Sequence, residues 1–366
     1  MKDKSLIRNV VMLLVSDQPV SNLLFCRNLD LEIDEVVLFT TTKMERSGVT
    51  DNLINVLNLT CEIKRIVISN TDYLDAYSLL SEIKSDGQRL LVNLTGGNKI
   101  MAMAVYDAFR DHGGCRFYYS PVGGDLFTCF NDPDASFSIR RNLNVSEYLN
   151  SYGIGFNHSE NCIANFKEAE MIMRLHQKYK FNRRRVLNYL ESNKSDYVEF
   201  KKYYEGGWFE EYLYYSIKKH LNLGDDEIYL DVELIADQET GRVVNELDVA
   251  FVYKSDLYII EAKANVTSRG VYNINPLESS RPKVSVADDK PLGQYLYKLA
   301  AVNKLLGIRT QCVLATLTDL RSGGEDFNRT LQDRMKILDI HHLIDRYEFI
   351  NDENFSKRIN YLVKNF

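Results

Sequence analysis

The chain has 366 residues, 45% of them hydrophobic and 26% charged, with a formal net charge of −6. That length calls for about two domains, each able to bury its own core, in a composition typical of soluble globular proteins. The negative balance excludes a global positive field as the driver of any nucleic-acid binding, which leaves that work to local basic patches, and no apolar run approaches the ~20 residues that span a bilayer.

The six cysteines (Cys26, Cys61, Cys115, Cys129, Cys162, Cys312) form no C-x-x-C pair and none sits with histidine at zinc spacing. They read as free thiols in a reducing cytoplasm. The run Val10–Val15 is too short for a signal h-region, and Asp17 follows at once. The expected location is cytoplasmic.

The first ~150 residues alternate apolar strands with helices. Strands are expected at 9–16, 35–41, 62–69, 89–95, 115–121 and 126–130. Helices are expected from Pro19, with Ser16 or Asp17 near the N-cap, and around 48–59, 75–85 and 96–112, where Met101 and Met103 would pack against the sheet. Such alternation implies a parallel sheet covered on both faces, with ligands bound beyond the carboxyl ends of its strands.

On that edge lies Thr95-Gly96-Gly97-Asn98-Lys99, between a strand and a helix. The glycines admit close approach of backbone to ligand, the helix start offers free N–H groups to an anion, and Lys99 adds a full charge. It is neither a Walker A loop nor G-x-G-x-x-G. A plain glycine-rich helix start fits equally well. The loops Ser16-Asp17-Gln18-Pro19 and Thr40-Thr41-Thr42-Lys43 fall on the same edge, which favours a nucleotide-like ligand.

"VMLLVSDQPVSNLL", followed roughly eighty residues later by "NLTGGNKIMAMAV", resembles the CRISPR-associated Rossmann-fold (CARF) domain. The resemblance implies a homodimer that binds one cyclic oligoadenylate ring, a type III CRISPR second messenger, across its two-fold axis. It implies that Ser16, Asp17, Gln18, Thr41, Thr95, Gly96, Gly97, Asn98 and Lys99 line the ring, with Asn22 a weaker candidate.

Residues ~160–205 are helical and charge-laced with no strand signal, and read as a spacer, 151–205. Its run Arg183-Arg184-Arg185 fits a solvated helix face better than a phosphate contact. From Gly206 a second α/β unit begins: a helix over 206–221, strands at 227–236, 245–253 and 256–264, an irregular polar stretch over 265–290, a helix over 291–307 and a strand at 311–318.

The third of these strands ends "YIIEAKAN". Strand residues i and i+2 share a face, so Glu261 and Lys263 project together. If a tight hairpin with an even-numbered loop joins it to "NELDVAFVY", Asp248 falls opposite Glu261 or Lys263; a shift of one residue would turn it away. Two carboxylates and a lysine suit a hard divalent cation and phosphodiester hydrolysis. An ordinary surface ion pair, worth ~0–1 kcal/mol, is the alternative. Glu210 or Glu211 on the helix "GGWFEEYLYYSI" would add an acid, and Gln294, Tyr297 and Lys298 would offer phosphate or water contacts. The adjacent His341 and His342 point apart and make no joint metal site.

This order of helix acid, strand Asp, E-x-K strand and Gln-bearing helix resembles the PD-(D/E)xK nuclease superfamily over about 206–320, with "LD" in place of "PD". The resemblance implies Asp248, Glu261 and Lys263 as the catalytic core, Glu210 as the helix acid, Gln294 as the auxiliary, and Asp248, Glu261 and Ala262 as the metal site. A CARF domain (1–150), a helical spacer (151–205) and a restriction-endonuclease-like domain (206–366) together resemble the CRISPR ancillary nucleases. That combination implies activation by cyclic tetra-adenylate and cleavage of single-stranded RNA, DNA or both with Mg2+ or Mn2+. The competing readings are a CARF-type regulator that binds nucleic acid without cutting it, and an enzyme that degrades its own ring ligand.

Overall fold

The computed structural model describes residues 7–83, 87–159, 166–237, 240–266, 292–321 and 329–364. They form two compact units, the described residues of 1–154 with 307–309, and the described residues of 155–306 with 310–366.

The first unit runs β1 (Asn9–Leu14), α1 (Val20–Asn28), β2 (Glu35–Thr40), α2 (Thr42–Arg46), α3 (Val49–Leu57), β3 (Glu62–Val67), α4 (Tyr73–Ser81), β4 (Arg89–Asn93), α5 (Lys99–Phe109), β5 (Cys115–Tyr119), β6 (Leu126–Cys129), β7 (Phe137–Ser138) and α6 (Val145–Ser151). Its sheet has the order β3-β2-β1-β4-β5-β6-β7. The first five strands in that order pair in parallel, and β6 and β7 add antiparallel. The order reverses between β1 and β4, the place where open α/β sheets leave a crevice for ligands. Central strands carry unbroken apolar runs because helices cover both faces; β1 and β2 are buried almost throughout. The edge strand β3 exposes Glu62, Lys64 and Arg65, charges that discourage pairing with another sheet. Met101, Ala104, Val105 and Phe109 of α5 pack on Val10, Met12 and Val92. Met103 does not join them: two residues from Met101 on a helix, it points outward and is 59% exposed. The first helix begins on Pro19 without a side-chain cap, because the Ser16 hydroxyl instead accepts from the Gln18 N–H at 3.2 Å.

The second unit runs β8 (Gly155–Ser159), α7 (Phe166–Lys178), α8 (Arg183–Asn193), α9 (Trp208–Leu221), β9 (Ile228–Asp237), β10 (Arg242–Tyr253), β11 (Asp256–Lys263), α10 (Leu292–Leu306), β12 (Thr310–Thr316), α11 (Arg329–Ile337), β13 (His342–Ile344) and α12 (Asp352–Lys364). Its sheet is ordered β13-β12-β11-β10-β9-β8, antiparallel from β8 to β11 and parallel from β11 to β13. The helices α7 and α8, expected as a separate spacer, bury Ala169, Ile172, Met173, Val186 and Leu190 in the same core as α9 and the sheet. Nearly all of the polar stretch 265–290 lies outside the described residues.

Candidate active site and effector edge

The carboxyl ends of β1, β2 and β4 bring the three expected loops of the first unit to one edge. Gly96 and Gly97 are held close to β1: a Cβ at Gly96 would lie 2.1 Å from the carbonyl oxygen of Leu14, and Gly97 adopts a left-handed φ of 69°. Asn98 caps α5, accepting from the Met101 N–H at 3.0 Å, while its amide donates to the carbonyl of Asn70 at 2.6 Å. Asp17 and Lys99 are exposed.

Other expected ring residues have internal duties. Asn22 is fully buried; its amide donates to the Leu14 carbonyl and its oxygen accepts from Asn93, both at 2.9 Å, so it ties α1 to the ends of β1 and β4. The Thr41 hydroxyl caps α2 through the Met44 N–H, and the Thr95 hydroxyl accepts from the Ser120 N–H. The Gln18 carboxamide oxygen accepts from the Tyr152 hydroxyl at 3.1 Å and the Ile308 N–H at 3.0 Å. Beside this edge a cavity of about 790 Å³ is lined by Thr41, Lys43, Arg46, Ser69 and Asn70 among others. Lys43 and Arg46 are exposed cations there; reading the loop as a string of threonines passed over Arg46, one helical turn beyond.

In the second unit the register question has a definite answer. Strands β10 and β11 are joined by Lys254 and Ser255 alone, both in the left-handed region at φ 51° and 66°, the twist a two-residue hairpin requires. Val249 pairs with Ile260 and Tyr253 with Asp256, which puts Asp248 across from Glu261 on the face away from Val249, Phe251, Tyr258 and Ile260. Those four face the apolar side of α9. Asp248 Oδ2 accepts from the Ala262 N–H and from Lys263 Nζ, each at 2.6 Å. Lys263 Nζ also lies 3.1 Å from Glu261 Oε1 and 4.0 Å from Glu210 Oε1. Asp248, Glu261, Lys263 and Glu210 are thus one cluster.

Glu210 reaches it from the first turn of α9, which the chain enters through a π-helical turn at Tyr203–Gly207. Tyr203 donates to the neighbouring acid Glu211 inside the core at 3.2 Å, so of the two helix acids only Glu210 faces the site. Gln294 is exposed. One turn later on α10, Lys298 Nζ holds Glu261 Oε2 at 2.5 Å. The signal for Lys298 was its i+4 spacing from Gln294, which puts both on one stripe of the helix; which of the two reaches the sheet depends on the depth at which α10 packs. Lys298 was expected to contact phosphate or water and instead holds an acid of the site, whereas Glu246, two residues before Asp248, and Asp231 on β9 were not among the expected residues. Both raise the negative potential at Glu210.

Burial comes first among the causes that move these acids, and the repulsion of Asp248 second. Together they lift Glu210 from the ordinary 4.5 to about 9 and push Glu261 upward. Burial and Glu246 carry Asp231 to about 6. For Lys263, burial pulls the ammonium down, but Asp248 and Glu261 outweigh it and hold the pKa above its usual value. A carboxyl with a folded pKa above its unfolded one binds its proton more tightly when folded, so stability falls as pH rises between the two values. Metal-free protein should therefore lose thermal stability between pH 4.5 and about 9. Glu210→Gln should flatten that slope and raise the midpoint at the alkaline end by roughly 2–5 °C. Thermal denaturation in chelator across this range checks it; equal slopes in the two proteins would assign the titration to other groups.

The site fits a hard cation in its donor chemistry: Asp248 and Glu261 aim carboxylate oxygens at one point, and the Lys263 ammonium now stands there as a positive charge. Among the described residues no three His, Cys, Asp or Glu side chains are arranged to hold an ion by themselves. The remaining ligands would be a backbone carbonyl, as expected of Ala262, or water and substrate oxygens.

Residues 10–148 match the family described as the Card1 CARF domain, and residues 198–354 match the Card1-like endonuclease domain. No curated protein matches the chain. Among solved structures, Can2 from Sulfobacillus thermosulfidooxidans in complex with cyclic tetra-adenylate superposes with a TM-score of 0.72 at 19% identity, covering 96% of this chain and 100% of that one. Protein VC1899 from Vibrio cholerae gives 0.69 at 16% identity, covering 98% and 99%. A type III CRISPR defence DNA nuclease activated by cyclic oligoadenylate gives 0.53 at 18%, covering 89% of this chain and 51% of its own. At these identities the likeness is one of fold.

Proposed function

This chain carries a Card1 CARF domain followed by a Card1-like endonuclease domain, and from that premise we propose that it is a divalent-metal-dependent nuclease of type III CRISPR defence, switched on by cyclic tetra-adenylate. The observation that carries the reading is the meeting of Asp248, Glu261, Lys263 and Glu210 around a single point. A regulator that only binds nucleic acid has no use for three carboxylates converging there at the cost of their burial.

Asp248 and Glu261 would hold a divalent ion, which would supply Lewis-acid polarisation of a phosphodiester. The chain's own residues do the rest. Lys263 is held firmly protonated by its neighbours, so it serves as a hydrogen-bond donor that orients a water and offsets charge building on the phosphate. It is no general base in this state. Glu210, protonated near neutrality in the metal-free chain, is the group that can take up charge when a cation enters. Gly96, Gly97 and Lys99 would meet the ring's phosphates, and the exposed Leu74 and Met103 on α4 and α5 give the first unit an apolar face for a second copy of the chain. Ring binding across that dimer would favour whichever conformation cuts, to the extent that it binds that conformation better.

The test is cleavage of labelled single-stranded RNA, single-stranded DNA and duplex DNA with Mn2+ or Mg2+, with and without cyclic tetra-adenylate, on protein sized by light scattering. Cutting should need both ring and metal, and the protein should run as a dimer. Tight nucleic-acid binding with no cutting under any condition would instead favour the regulator.

A further inference from the structure

We propose that Lys298 is a built-in competitor of the divalent cation, an internal ammonium that occupies Glu261 in the metal-free chain and sets how tightly the site takes up metal. The inference rests on the metal-dependent reading above.

Both carboxylate oxygens of Glu261 are taken: Oε1 by Lys263 at 3.1 Å and Oε2 by Lys298 at 2.5 Å. The side chain is only 2% exposed, so no water stands in for a departing partner without rearrangement. A cation that ligates Glu261 therefore meets an ammonium at either oxygen, and the repulsion of like charges drives one ammonium away. The two lysines differ in how easily they leave. Lys263 is tied to β11 two residues from Glu261 and faces Asp248 and Glu210 as well. Lys298 comes from a different element, α10, and meets one carboxylate among the described residues. It is also on the more exposed side of the pair, and its long flexible stem can swing to water beside the exposed Gln294 and Tyr297. Lys298 is the partner that gives way, and the energy of its contact with Glu261 is subtracted from the metal's affinity. It is a positioning residue: it fixes the Glu261 carboxylate at rest and touches no reacting atom. The sequence placed the auxiliary function on Gln294, whereas α10 presents a charge to the acid.

The experiment measures Mn2+ affinity directly, without nucleic acid or ring, by calorimetry or by loss of the free Mn2+ spin-resonance signal at about pH 8.5. Lys298→Met keeps the stem and removes the charge. It should bind Mn2+ more tightly than the wild type, by roughly threefold to fivefold, the upper end of one partly exposed ion pair. Lys298→Arg keeps the charge and should stay within about twofold of the wild type. Lys304→Met, which removes an exposed charge from the last turn of the same helix, should also leave the affinity unchanged. If Lys298→Met does not fold, Lys298→Gln takes its place in the comparison. A folded neutral variant that binds Mn2+ equally or more weakly overturns the proposal, as does the same gain in Lys304→Met. Failure of the wild type itself to bind Mn2+, with no difference from Glu261→Gln, overturns the metal-dependent reading and this inference together, which separates the two failures.

Discussion

Glu261→Gln should abolish nucleic-acid cleavage, by roughly 10²–10³-fold or more, and leave cyclic tetra-adenylate binding unchanged. Glutamine keeps the shape but not the charge. Glu261 is the acid on which the site converges: it faces Asp248 across the hairpin and contacts two ammoniums. With a neutral amide, a divalent cation would lose one of its two anionic ligands and meet Lys298 stripped of its carboxylate partner, while Lys263 keeps Asp248. Asp248→Asn should act similarly, with an added effect on the β10–β11 hairpin, since Asp248 also accepts the Ala262 N–H. The expected ring residues lie in the other compact unit, so ring affinity measured by calorimetry should not change, and a cooperative thermal unfolding transition of the whole chain reports that the mutated unit remains folded. Cleavage by folded Glu261→Gln at wild-type rate would place the chemistry elsewhere.

Lys99→Met should raise the concentration of cyclic tetra-adenylate needed for half-maximal cleavage by roughly 10- to 100-fold, with the maximal rate at saturating ring retained. Lys99 is exposed at the start of α5, beside the Gly96-Gly97 turn, so its loss removes a charge without opening the core. One charge-assisted contact contributes about 1.5–3 kcal/mol, which corresponds to a shift of that size. Titrating ring against cleavage rate at fixed metal checks the shift. An unchanged midpoint would mean that Lys99 faces water even when the ring is bound. The same titration separates this residue from Asn22 and Thr95, whose substitution should lower stability first because their polar groups already bond within the fold.

The two α/β units, the helix after Thr95 and the strand ending in Glu261-Ala262-Lys263 were legible in the sequence, because each rests on a local signal. Unbroken apolar runs mark strands covered on both faces, a period of two puts Glu261 and Lys263 on one side, and paired glycines mark a close approach, expected toward a ligand and found at Gly96 toward the Leu14 carbonyl. The expected helix and strand spans of the first unit accordingly coincide with α3, α5 and β1 to β6 within a few residues.

What the tertiary structure decided is which side chains are already spent and which meet. The left-handed pair Lys254-Ser255 closed the hairpin at two residues and turned Asp248 toward Glu261 rather than away. The packing of α10 brought Lys298 to Glu261 and left Gln294 in solvent. The crossing of α1 over the ends of β1 and β4 drew Asn22 inward, while the orientation of α5 buried Met101 and exposed Met103. A pattern of residue types records where a chain alternates between water and core, because burial depends on each element's own periodicity. The partner of a buried charge depends on register and helix depth, set by contacts between residues far apart in the chain, and no single stretch of sequence contains them.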